Sequence, residues 1–143
     1  GRRSSSVIDE ATVARLLRAA TAARLRAYAP YSGFSVGAAL LGASGRVFVG
    51  ANVENSSYGL ALCAERSALV HAIVRGERRF RAVAVIADSD GPCTPCGACR
   101  HVLSEFGGDV AVICANVNGQ LRIRELRELL PDRNDTLRRG ASS

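Results

Sequence analysis

Two uninterrupted apolar runs, AVAVIA at residues 82–87 and VAVICA at 110–115, constrain this chain more than any other feature. Each is short and lacks alternation, so each reads as a strand covered on both faces. Residues 97–106 between them carry a helical pattern. Strand, helix and strand in that order form a crossover that leaves the two strands parallel, and such crossovers are right-handed. A sheet covered on both faces needs helices on both sides.

The rest of the chain supplies them. Residues 9–27 repeat Val13, Leu16, Leu17, Ala20, Ala23 and Ala27 at three- and four-residue spacing, with Asp9 as N-cap. YAPYSGF then breaks the pattern as a loop. Residues 35–41 and 47–52 read as strands joined by the GASGR turn. Residues 63–75 predict a second helix, with Ala64, Ala68, Val70 or Ile73, and Val74 as its apolar side and Gly76 as its stop. VNGQ at 117–120 predicts a hairpin into 121–124, and a short helix at 125–130 ends at Pro131. The expected architecture is α/β, a three-layer α-β-α sandwich around a five-stranded mixed sheet. One domain is expected over 9–131, between a flexible flank at 1–8 and a tail at 132–143.

The formal net charge is +6, and all 19 basic residues are Arg. A basic domain invites a nucleic-acid reading. The arginines are scattered, however, and cluster only mildly at Arg2–Arg3 and Arg138–Arg139. Three Tyr, four Phe and no Trp are few for a base-stacking groove. No nucleic-acid partner is expected. No apolar run approaches the roughly 18 residues of a membrane span, and no segment reads as a signal peptide. The expectation is a cytoplasmic protein with no membrane partner, in a reducing compartment where crowded cysteines mean metal more often than disulfide.

Three cysteines, Cys93, Cys96 and Cys99, crowd into PCTPCGACR. An iron–sulfur run would need a fourth Cys followed by Pro, and RHVLSEF follows Cys99 instead. A structural zinc ribbon would need a second, separate pair. Cys63, in CAERSA, sits where the second helix begins, as Cys99 sits where the third begins. Both helix N-termini would face the end of the sheet where open α/β folds bind ligands, and N-termini favour thiolates. Cys63 plus two of the clustered cysteines gives three sulfurs around a tetrahedral metal with an open fourth position, the pattern of a catalytic site. Cys96 and Cys99 are the expected pair: Gly97 permits close backbone approach, and Cys99 leads into the helix. Cys93 is then a spare loop thiol. Glu65, in the first turn after Cys63, is placed for general acid–base work. Arg66 is placed to donate to the sulfurs and draw off the excess charge of three thiolates.

These residues resemble the cytidine deaminase family, in its small, single-domain, homotetrameric branch. APYSGFSVGAALL (29–41), NVENSSYG (52–59), CAERSAL (63–69), PCGACRHVLSEFG (95–107) and ELLP (128–131) match family motifs in the family's order. The resemblance implies one Zn²⁺ per chain on Cys63, Cys96 and Cys99. A zinc-activated water would attack C4 of the pyrimidine while Glu65 moves the protons. It further implies that the Ala64 backbone holds the ring carbonyl, Phe34 packs on the base, and Asn52 and Glu54, two apart and so on one face, grip a ribose hydroxyl. Tyr58 would approach substrate, and sites would be shared between subunits of a homotetramer. The implied reaction converts cytidine or deoxycytidine to uridine or deoxyuridine with release of ammonia, in pyrimidine salvage. Two positions depart from the family's usual pattern: His101 stands where Gln is common, and Asn134 about where a closing Phe is common. Both bear on the substrate, and leave a blasticidin S-type nucleoside as the alternative.

Overall fold

The computed structural model describes residues 8–57, 60–93, 95, 97–105 and 109–129. Four helices and five strands alternate in the expected order: α1 (Glu10–Arg24), β1 (Val36–Gly42), β2 (Val47–Ala51), α2 (Ala64–Val74), β3 (Phe80–Ala87), α3 (Gly97–Ser104), β4 (Ala111–Asn116), β5 (Leu121–Glu125) and α4 (Leu126–Leu129). The sheet runs β2-β1-β3-β4-β5. Only the β3–β4 pair is parallel, with Val83 opposite Val112 and Val85 opposite Cys114. The other three pairs are antiparallel.

Alternation along the central strands explains why their sequences are apolar throughout. Ala38 and Leu40, Val83 and Val85, and Val112 and Cys114 pack against Ala64, Ala68 and Leu69 of α2, with Leu103 of α3. Ala39 and Leu41, Ala82, Ala84 and Ile86, and Ala111, Ile113 and Ala115 pack against Val13, Leu16 and Ala20 of α1. Both faces are covered by helices, so these positions have no use for a polar side chain. The three layers are therefore α1, the sheet, and α2 with α3.

Asp9 caps α1, accepting from the Thr12 amide at 2.8 Å. The helix ends at Arg24, three residues short of the expected 27. The chain turns there because Tyr28 is drawn into a parallel bridge with Val53, its amide donating to Asn52 O at 2.9 Å. The apolar side of α2 also differs from expectation. Ala64, Ala68, Leu69 and Ala72 face inward, whereas Val70 and Val74 are exposed. Small side chains win the inner face because β2 passes very close at Gly50, where a β-carbon would lie 2.3 Å from Ala68 N.

Candidate active site

The first turn of α2 brings the site's chemistry together. Cys63 occupies the N-cap in an extended conformation (φ −73°, ψ 155°), fixed by the Val53–Leu62 bridge just before it. Ala64 is fully buried, and Glu65 is only 5% exposed. Both line a cavity of about 210 Å³ with Phe34, Val36, Asn52, Cys63 and Cys93. The first amides of α2 have no partner within the helix, so this end is rich in donors and carries the positive end of the dipole. Arg66 reaches back along the same turn. Its Nη2 lies 3.8 Å from Cys63 Sγ and 3.4 Å from Ala61 O. This is the sulfur contact expected of Arg66.

Cys93 reaches the cavity from the segment that follows β3, at the C-terminal ends of the parallel strands. Asn116, at the end of β4, is 2% exposed. Its amide donates to Ser89 O at 2.9 Å, and its carbonyl accepts from Asn118 N and Gln120 N. One buried side chain thus ties the segment after β3 to the β4–β5 turn. The Cys93 amide donates to Ala115 O at 3.1 Å, which brings that residue back over the strand ends. Cys99, third residue of α3, is fully buried.

Cys93, expected from the sequence as a spare loop thiol, has a half-buried side chain that lines the same cavity as Glu65. Burial pushes its thiol up to about 12, and the Glu65 carboxylate and Cys114 add to the effect. It therefore carries its proton at neutral pH when no metal is bound to it. The missed signal was positional, since ligands gather beyond the carboxyl ends of parallel strands.

Among the described residues, no three His, Cys, Asp or Glu side chains gather as a metal site. Cys96, which would complete the set with Cys63 and Cys99, lies outside the described residues, as do Tyr58 and Asn134. The donor chemistry still fits zinc: a thiol at a helix N-terminus with a guanidinium on its sulfur is an environment for thiolate.

Phe34 is 42% exposed at the cavity mouth, which excludes a core role. Asn52 lines the same cavity, its Oδ1 accepting from Val36 N and its Nδ2 donating to Phe34 O, both at 2.9 Å. Glu54 lines a second cavity with Tyr31, Ser32, Asn55 and Ala61. Its carboxylate accepts from the amides of Tyr31 and Ser32 at 2.9 and 3.0 Å and from the Ser32 hydroxyl. Those bonds hold its carboxyl below the usual range, the Ser32 hydroxyl contributing most.

A family model described as "Cytidine and deoxycytidylate deaminase zinc-binding region" matches residues 11–116. The chain belongs to this family. The metal of the site is accordingly zinc. Among similar proteins is the cytidine deaminase of Halalkalibacterium halodurans, 50% identical over 117 residues, or 81% of this chain and 89% of that protein. That of Sporosarcina psychrophila is 46% identical over 120 residues, covering 83% and 88%. The crystal structure of cytidine deaminase from Burkholderia pseudomallei superposes with a TM-score of 0.81 at 51% identity, over 83% of this chain and 96% of that one. No described helix is long and apolar enough to cross a membrane.

Proposed function

We propose that this chain is a zinc-dependent cytidine deaminase, hydrolysing cytidine or deoxycytidine to uridine or deoxyuridine and ammonia. The observation that carries the reading is Glu65, buried on the first turn of α2 in one cavity with Cys63, Phe34 and Asn52. The cytidine deaminases at 46–51% identity support the same substrate, and nothing in the described cavity favours the blasticidin-type alternative.

Cys63, Cys96 and Cys99 would hold the metal, which when bound supplies the Lewis acidity that brings a water's pKa toward neutrality. Glu65 takes a proton from the attacking water and delivers it to N3 of the pyrimidine, then takes the remaining proton from the new C4 hydroxyl and gives it to the amine, which leaves as ammonia as the C4 carbonyl forms. Its burial keeps bulk water from competing for those protons. The Ala64 amide, an unpaired donor of the helix start, holds the ring carbonyl. Phe34 covers the base. Arg66 withdraws charge from Cys63.

Asn52 and Glu54 address the sugar. After their bonds to the 31–36 loop, Asn52 retains one N–H and Glu54 Oε2 retains lone-pair capacity. No Arg is among the described residues lining either cavity, so a phosphate beside Glu54 would meet repulsion without a compensating cation. A free nucleoside is thus the preferred substrate. The catalytic domain spans 9–131, and the active form is a cytoplasmic homotetramer with sites shared between subunits. The exposed Val70 and Val74 on the outer side of α2 favour such an association.

An absorbance assay of zinc-loaded protein with cytidine, deoxycytidine, cytosine, CMP and blasticidin S tests the reading. Turnover of the two nucleosides far above CMP is expected. CMP equal to cytidine in kcat/KM removes the charge argument, and no cytidine turnover removes the assignment.

A further inference from the structure

The segment from Tyr28 to Ser35 has no regular secondary structure beyond the Tyr28 bridge, yet it delivers Phe34 to the cavity mouth. It is held from across the chain by the side chains of Asn52 and Glu54. Asn52 takes Val36 N and Phe34 O, and Glu54 Oε1 takes the amides of Tyr31 and Ser32. Two further bonds both pass through a single hydroxyl. Ser32 Oγ donates to Glu54 Oε2, and the same oxygen accepts from Phe34 N at 2.9 Å.

We propose that Ser32 is a positioning residue for substrate binding: its hydroxyl fixes the Glu54 carboxylate and the Phe34 backbone relative to one another, so that the sugar side and the base side of the pocket are set together. The inference rests on the cytidine deaminase reading for its consequence, while the relay itself stands on the geometry. Oε1 already accepts two amides, so Oε2 is the oxygen left to face a ligand, and Ser32 is what holds its direction. Without the hydroxyl the carboxyl plane turns about its last torsion, which has broad preferences. Phe34 N loses its acceptor at the same time. Among the described residues, no other hydrogen-bonded group joins Glu54 to Phe34. The hydroxyl is also the largest influence keeping the Glu54 carboxyl ionised and acceptor-only. Ser32 and Phe34 are exposed and outside the hydrophobic clusters, so removing one hydroxyl leaves the core untouched.

The test compares zinc-loaded wild type, Ser32→Ala and Ser32→Thr. In Ser32→Ala the KM for cytidine should rise about five- to tenfold, the effect of one charge-assisted hydrogen bond at an exposed site, with kcat within about twofold. Ser32→Thr, which keeps the hydroxyl, should restore KM. The Ser32→Ala penalty should shrink for 2′,3′-dideoxycytidine, which offers Glu54 no ring hydroxyl. Amide exchange of Phe34, read by NMR on the same proteins, should accelerate in the Ala variant and not in the Thr variant, with the unfolding midpoint unchanged in both. An unaltered KM alongside normal wild-type turnover overturns the proposal, as does unaltered Phe34 exchange. If exchange accelerates in Ser32→Ala but the wild type does not turn over cytidine, the relay stands and the functional assignment fails.

Discussion

Gly50→Ala is a one-carbon change in β2 that should disable the site from outside it. Gly50 pairs with Ala38 in the sheet and faces the start of α2. A β-carbon there would lie 2.3 Å from Ala68 N, 2.5 Å from Ala64 O and 2.9 Å from Ala68 Cα. All three are backbone atoms, so no side chain can swing aside. Restoring contact distances near 3.5 Å requires α2 to back away from the sheet by about 1 Å. Overpacking of this kind costs about 1–3 kcal/mol, and the backbone partners put Gly50→Ala at the upper end. For a domain of this size that is a fall in Tm of roughly 10 °C. Ala64 lies between Cys63 and Glu65, so the displacement acts on the catalytic turn itself, and a 1 Å misplacement costs about 10²-fold in rate. Thermal melts of zinc-loaded protein and kcat measured well below the melting range read the two effects separately. Gly45→Ala is the control: it has φ +94° and open space around the added carbon, so it should cost only about 1–2 kcal/mol of left-handed strain and leave kcat alone. If Gly50→Ala melts within 3 °C of wild type and turns over normally, the close approach of β2 and α2 does not set the site.

Replacing Glu65 with Gln keeps its shape but not its proton transfer, so kcat should fall at least ~10²-fold while metal analysis still finds about one zinc per chain. Among the cysteines, Ala at 63, 96 or 99 should abolish zinc retention on dialysis. Cys93→Ala should keep the metal, because the proposed ligand set is Cys63, Cys96 and Cys99; zinc loss in that variant alone would reverse the ligand assignment. Glu77 governs acid stability. Ser44 first, and Arg46 at 3.0 Å as well, hold its carboxyl below the ordinary value, so its contribution is present above that value and disappears as pH falls through the lowered one. Urea unfolding should therefore show Glu77→Gln less stable than wild type at pH 7, with the gap closing in acid; a constant gap would argue against linkage.

The central sheet was legible because its strands are buried on both faces, and AVAVIA and VAVICA have no other reading in a chain this short. Register and close approach were less legible. Periodicity put Ala64 and Ala68 on the inner face of α2, but with them Val70 or Ile73, and Val74, since it sees only hydrophobicity. The fold selects Ala64, Ala68 and Ala72 because distance to Gly50 limits volume. Asn52 and Glu54 were placed on one face by strand alternation, but β2 ends at Ala51. Beyond it Val53 bridges both Tyr28 and Leu62, and the two side chains serve different cavities. Ser32 carried no signal at all, because a serine in a Pro/Gly-rich loop is ordinary until the carboxylate it meets, 22 positions away, is known.

The legible part of the site and the illegible part follow the distance over which each is assembled. Cys63, Ala64, Glu65 and Arg66 act from a single helical turn, so their relation is written in four consecutive letters, and helix geometry supplies the rest. Arg66 illustrates this: three residues after Cys63 on a helix start, its guanidinium returns to the sulfur and to Ala61 O without help from another element. The substrate side is built differently. Phe34, Asn52, Glu54 and Cys93 come from three chain segments and depend on side-chain bonds to loop backbone. Chemistry that must not vary is thus fixed locally and deep in the fold. Contacts that choose among nucleosides rest on exposed hydrogen bonds, each of modest net strength. Such bonds can be changed one at a time without unfolding the sheet beneath them.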